Sequence, residues 1–489
     1  KEYWDLSHEK HGLQGGFIWD WVDQGILQAA GTAPIRDHQA PAADLVAEAQ
    51  SECHKPGGTW HWAYGGDFAE PIHDLQFCIN GMIWPDRTPH PAMQEFKHLV
   101  QPIISEWLAD SQHLLVTSRQ YFLPLQDLNG TWQLQQNGEE IANGSFDVPA
   151  ILPGESAQIS LNLPVQPADG EIHLMVRFSL AQSTSWAEQG HELAWDQFQL
   201  AAPSPPAPSL QALLPESLTH GRLSLKIADG AVCEVRIDGS VAVTTPIELN
   251  VWRAGLDNDG IRQRSSHRER PLFRWEDAGL DALTCVANSA TPGENVLELQ
   301  RIYACTASER AFVWDQQICF LDDGRIAFSN TIQCDESLPS LARMGVSFSL
   351  AAGYEQLSWF GRGPHENYPD RNAGAPLGLY HSTVSDQYVP YIHPQEHGQK
   401  TDVRWLALNN STDSLKISGQ EHLLFSALHH SARDLFEANH TSELRPRDAT
   451  IVSLDHQHRG LGTGSCGPQT LEKYEVAPTR YAFTWYLHA

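Results

Sequence analysis

The stretch "QGGFIWDWVDQGI", Gln14 to Ile26, packs two carboxylates and two indoles, Asp20, Asp23, Trp19 and Trp21, into five residues. Paired carboxyls suggest glycosidic bond cleavage. A retaining enzyme holds them about 5 to 5.5 Å apart, an inverting one roughly 6.5 to 9.5 Å apart. If "FIWDWVD" is a strand, Asp20 and Asp23 lie about 10 Å apart along it and face opposite sides. Gly15-Gly16 and the aromatic, β-branched composition disfavour the helix that would bring them together. The local acid pair is therefore the weaker reading. The same alternation puts Phe17, Trp19 and Trp21 on one face, which is either core packing, the reading the residues alone favour, or a wall for a pyranose ring.

Other reactive residue types are sparser. "CHKPGGTWHW" holds Cys53, His54 and His61 but lacks a paired Cys or a second half-site, so it reads as a surface loop rather than a zinc site. Asp257, Asn258 and Asp259 lack the spacing and terminal Glu of a calcium loop and read as a polar turn. His365, Glu366 and Asp370 sit in a Gly/Pro-rich segment and read as a structural corner. Asn80-Gly81 is by itself a turn signal, with Phe77 a core residue beside it.

The elements that must position these residues change along the chain. At 489 residues it holds two to four domains. Residues 1–105 mix signals: the opening "KEYWDLSHEKHGLQGG" reads as helix, turn and strand entry and not as a leader, so the chain is expected to begin inside a larger polypeptide. "GGFIWDW" reads as a strand, and "HPAMQEFKHLV" as a helix with Pro at its start. Residues 106–200 switch to period two at Ile172, Leu174, Val176, Phe178 and Leu180, with a hairpin signal at Asn137-Gly138, and read as a small β-sandwich. "AAPSPPAPS", residues 201–209, reads as a stiff linker. Residues 210–489 repeat Asp-Gly turns at 229–230, 238–239 and 323–324 between strand-like runs, which predicts a large antiparallel β structure of two stacked sheets.

Sixty acidic residues against 32 basic ones give a formal charge of -28, which disfavours nucleic acid and anionic membrane as partners and suits a neutral substrate. No apolar run approaches the roughly 20 residues of a membrane span. The eight cysteines form no CxxC pair, which points to a reducing compartment with free thiols.

Longer strings narrow the reading. "LQGGFIWDWVDQGI" and "WHWAYGGDFAEPIHDLQFCINGMIWPDRTPHPAMQEFKH" closely resemble the end of the catalytic barrel of LacZ-type β-galactosidases of glycoside hydrolase family 2. "RAGLDNDGI", "WFGRGPHENYPDRNAG" and "YVPYIHPQEHG" resemble that family's long C-terminal β domain. The resemblance spans essentially the whole chain. It implies a multidomain, mainly β protein: the end of a (β/α)8 barrel over 1–105, an immunoglobulin-like β-sandwich over 106–200, and a β super-sandwich over 210–489.

The activity implied is retaining hydrolysis of β-D-galactosides such as lactose. The two catalytic glutamates are expected upstream of Lys1, which makes Asp20 and Asp23 scaffold and the chain inactive alone. The alternative is a noncatalytic carbohydrate-binding or assembly subunit complementing a separate catalytic chain. By the resemblance, Trp19 forms part of the galactose wall, and Phe77 (backbone carbonyl) and Asn80 (side-chain oxygen) help bind sodium beside the sugar's 6-hydroxyl. His73 stands where the family often has Asn near a magnesium-associated loop, which puts a metal role for it in question. Ile451 stands for a tryptophan platform used for the aglycone. Sodium and magnesium, no organic cofactor, and a cytoplasmic homo-oligomer complete the expectation.

Overall fold

A computed structural model describes residues 2–31, 42–165, 167, 169–202, 212–262 and 264–489. From residue 203 onward, the expected linker at 201–209 lies outside the described residues.

In the first 105 residues, helices Glu2–Glu9, Val46–Cys53 and Ala92–Leu99 accompany an antiparallel pair, Ile26–Ala29 against Trp60–Ala63. The helix Ala92–Leu99 forms where its apolar spacing predicts, with Pro91 just before it and Lys97 and His98 in its last turn, where cations complement the helix dipole. The expected strand over "GGFIWDW" does not form. Trp21 C=O accepts the N–H groups of Met82 and Ile83, and Val22 makes one parallel bridge to Ile83. No ladder builds on residues 15–21 among those described. A strand exists through its backbone partners, and side-chain alternation cannot replace them. The expectation that Phe17, Trp19 and Trp21 pack in a core also fails: Phe17 is fully exposed, Trp19 is 83 % exposed and Trp21 45 %.

Two sheets follow. Ile103–Leu108, His113–Ser118 and Ser156–Ser160 face a four-stranded sheet ordered Glu139–Asp147, Leu128–Gln136, Ile172–Leu180 and Glu192–Ala201. Between them lies a core of Ile103, Leu114, Val116, Leu134, Leu174 and Phe178. Asn137 and Gly138 both take positive φ, 51° and 86°, as a two-residue hairpin turn requires. Along Ile172–Leu180, His173 and Met175 are buried as well as the alternating apolar residues. The outer face of that sheet is covered by the C-terminal half: Arg404 pairs with Glu171 at 2.5 Å, and the Gln197 side chain donates to Leu377 C=O at 2.7 Å.

Residues 212–489 form one antiparallel network of 17 strands rather than two separate sheets. The strand Ile326–Cys334 pairs with the last strand, Arg480–His488, which also pairs with Ser414–Leu428. Ser414–Leu428 pairs in turn with Thr450–His458, and that strand with Arg343–Leu350. The network thereby curls over a single core. Trp275, Trp314, Trp359 and Trp485 are fully buried, and Trp485 stacks on Phe328 with centroids 4.0 Å apart. Burying a ring the size of Phe328 contributes about 2–3 kcal/mol. At Asp229-Gly230 and Asp238-Gly239 both residues have positive φ; at Asp323-Gly324 only the glycine does. All eight cysteines are free thiols. Among the described residues, no helix is long and apolar enough to cross a membrane.

Candidate functional site

Loops of the curled sheet meet the N-terminal segment around a cavity of about 480 Å³. Trp19, Phe77, Asn80 and His90 line it from the N-terminal side; Asp257, Glu366, Tyr391, His393 and Glu396 line it from the other.

Close backbone contact positions the first group. Gly81 lies so near the Val22–Asp23 peptide that a Cβ there would sit 2.2 Å from Asp23 N, so only glycine lets the two segments run together. Buried Asp23 accepts the Gly81 N–H at 2.7 Å and lies 2.9 Å from His90 Nε2. Asp20 donates its N–H to Asn80 C=O, and its carboxylate accepts from Gln24 Nε2 at 2.7 Å. Both aspartates hold backbone in place, and neither lines the cavity. The 3-10 turn Leu75–Cys78 carries Phe77, whose ring lies 4.3 Å beneath the Arg264 guanidinium. Asn80 Oδ1 is buried and accepts no hydrogen bond. A buried carbonyl oxygen without a donor is costly, and a hard cation is one species that relieves it. Asn80 Oδ1 is thus an oxygen donor of the kind a hard cation takes.

The carboxylates on the far wall are engaged. Glu366 is buried and accepts from Arg371 at 2.5 Å, from Tyr391 OH at 2.6 Å and from Gly398 N–H at 2.7 Å. Burial works against its charge, yet the Arg371 guanidinium and these donors hold its carboxyl below the usual range. Glu396 lies 3.2 Å from Arg343; burial again opposes ionisation, but Arg343 and His458 hold the group down at about 2. Asp257 is the exception. Burial pushes its carboxyl up to about 6, the charges of Asp23 and Asp259 add to that, and a hydrogen bond from Gln76 at 3.1 Å opposes it.

Two expected positions fall elsewhere. His73 is exposed, its Nδ1 accepts the Leu75 N–H at 3.3 Å, its ring lies against Gly66, and it does not line the cavity. Ile451 pairs with Ser349 and Leu428 inside the sheet and does not reach the cavity, which corrects its assignment to the aglycone platform. The terminal residues that do reach it are Leu461, Ser465 and Cys466. His365, Glu366 and Asp370 share no reactive geometry. Asp370 accepts the N–H groups of Leu461 and Gly462, both at 2.8 Å, and so shapes that rim.

The sequence profile described as "Beta galactosidase small chain" matches residues 219–487. The chain belongs to the beta-galactosidase small-chain family. Residues 114–201 match "Beta-galactosidase, domain 4", and residues 1–105 match "Glycosyl hydrolases family 2, TIM barrel domain". A beta-galactosidase of Photobacterium profundum is 30% identical over 99% of this chain and 46% of its own length. One from Vibrio vulnificus is 31% identical over the same shares. The chain thus spans about half the length of the curated relatives it matches. An exo-chitosanase structure from Amycolatopsis orientalis is 9% identical over 69% of this chain and 29% of its own, with a TM-score of 0.19.

Sequence reasoning on this family member missed Tyr391, His393 and Glu396 as cavity residues. Their signal was present in "YVPYIHPQEHG", but nothing local to that string says that it folds back to face Asn80. Asp259, read with its neighbours as a polar turn, forms a buried pair with Arg253 at 2.8 Å, which fixes the turn carrying Asp257.

Proposed function

We propose that the complete protein is a retaining β-galactosidase and that this chain supplies the sugar-binding cradle, while the nucleophile and the acid/base glutamate come from chain outside these residues. In that reaction one glutamic acid protonates the leaving oxygen, a second glutamate forms the galactosyl-enzyme, and water releases galactose. The exposed indole of Trp19 would lie against the apolar face of the galactose ring. Asn80 Oδ1 and the Phe77 carbonyl would hold sodium, which supplies a fixed positive charge beside the sugar's hydroxyls. Arg371, Tyr391 and Gly398 hold Glu366 too tightly for it to serve as a free acid. The protein is read as a cytoplasmic homo-oligomer, in keeping with its free thiols.

One observation carries this reading: Trp19 and the donorless Asn80 oxygen converge on one cavity in a chain of this family. The exposed Phe17, Ile18, Trp21 and Ile72 support it, since such a surface is what further barrel would cover. The test assays the complete protein on chromogenic β-galactoside, β-glucuronide and β-mannoside. The galactoside is expected to be preferred in kcat/KM by at least about 100-fold. In the same assay Trp19→Ala is expected to raise KM about tenfold, the loss of roughly 1.4 kcal/mol of stacking. Equal or better turnover of another glycoside, or unchanged kinetics in the variant, contradicts the reading.

A further inference from the structure

Outside the lining of that cavity, the strand Trp60–Ala63 and the loop after it meet the short turn Thr441–Glu443 of the C-terminal half. His61, Asp67 and His440 converge there, one donor atom of each lying within 4.8 Å of the others. Among the described residues it is the one group of three such side chains. They line a separate open hollow of about 640 Å³.

The surroundings of the three look prepared. His440 Nε2 lies 2.9 Å from Asp67 Oδ2, and its Nδ1 lies 3.2 Å from Glu443 Oε1. Its ring is held between Tyr64, stacked with centroids 4.8 Å apart, and His61, with centroids 4.3 Å apart. Asp67 Oδ2 is steadied by the Tyr64 N–H at 2.7 Å. His61 Nδ1 is buried and has no hydrogen-bond partner.

A metal-bound histidine typically donates its other ring N–H to a carboxylate, which fixes the tautomer and aims the ligating lone pair. Glu443 stands where that carboxylate belongs. A proton on His440, shared between Asp67 and Glu443, is the rival occupant. That arrangement has no use for His61 and leaves its buried Nδ1 unexplained.

We propose that His61, Asp67 and His440 bind one divalent cation of the zinc class, completed by water from the hollow, with Glu443 orienting His440. Imidazole and carboxylate donors with an open position suit such an ion. Tetrahedral binding at about 2.0–2.2 Å sets donors roughly 3.4 Å apart, so the 2.9 Å His440–Asp67 contact would open slightly and His61 would draw in, movements that side-chain rotation can supply. Asp67 and His440 are 373 residues apart in sequence, so the ion would pin the N-terminal segment to the β domain. Other hydrogen bonds already cross this seam, among them Tyr64 OH to Asn439 C=O at 2.6 Å, Thr441 Oγ1 to Cys53 C=O at 2.8 Å and Gly57 N–H to Thr441 C=O at 2.9 Å. The string "CHKPGGTWHW" thus contributes one ligand of its three candidates: Cys53 is buried apart, and His54 lies 2.7 Å from Asp86.

The test titrates the complete, chelator-treated protein with Co2+, followed by visible absorption, and repeats it with Zn2+ by calorimetry. The wild type is expected to take up one equivalent that His61→Ala and His440→Gln do not, and Zn2+ is expected to raise the Tm of the wild type alone. Glu443→Gln is expected to weaken uptake about 10- to 100-fold. Half-buried His61 makes His61→Ala the variant least disturbing to folding, and its Tm without metal reports that directly. No saturable uptake by the wild type, or equal uptake by wild type and His61→Ala, overturns the proposal.

Discussion

Asp257 is the cavity carboxyl whose environment most favours its neutral form. Its folded pKa is raised from 3.8 to about 6, chiefly by burial. The unfolded chain releases this proton near the lower value and the folded chain near the higher, so between them the folded state holds more proton. By linkage, stability falls as pH rises through that window, and the loss is complete above about 6. Asp257→Asn should remove about 2–3 kcal/mol of that slope. Urea unfolding of wild type and variant at pH 4 and pH 7 checks this; parallel slopes would show that Asp257 titrates normally. At this scale the sequence was partly legible. Trp19, Phe77 and Asn80 could be picked out through longer strings resembling a known family, and all three line the cavity. Glu366 was read as part of a structural corner, but its partners Arg371, Tyr391 and Gly398 could not be named, because only tertiary folding brings them to it.

Elements were legible where local chemistry decides them. Asn137-Gly138 and the first two Asp-Gly pairs take the backbone conformations that a tight hairpin demands. The helix Ala92–Leu99 follows its own apolar spacing. "GGFIWDW" was misread because alternation specifies a face and not a partner, and one bridge at Val22 does not make a ladder. Cross-strand ion pairs were equally invisible in sequence. Arg343, at the start of its strand, donates to Asp455 at 2.6 Å and to Glu396 at 3.2 Å, joining the sheet to the loop that lines the cavity. All three groups are buried, so removing the cation strips both carboxylates of their nearest positive charge. Arg343→Met is expected to cost about 3–5 kcal/mol in denaturant unfolding. Since the Glu396 pKa is depressed to about 2, its contribution is present above 4.5 and fades as pH falls toward 2; the variant should therefore lose most at neutral pH and little in acid. An equal loss at both would assign the effect to packing rather than charge.

On the scale of the whole molecule, the mainly β architecture followed from period-two runs and turn residues. The joining of 17 strands into one network did not, because non-local pairing leaves no local trace. The C-terminal half fully buries four tryptophans and leaves its rim loops to close a cavity against the N-terminal segment. That segment exposes Phe17, Ile18, Trp19 and Trp21 in one run, the surface a larger barrel would cover. The proposed function places a sugar cradle in this chain and the catalytic pair outside it. Its most direct test is turnover of a chromogenic β-galactoside by these 489 residues alone, with circular dichroism showing the β structure intact. No turnover above the buffer rate is predicted, whereas hydrolysis at an ordinary enzymatic rate of about 10 per second would contradict it.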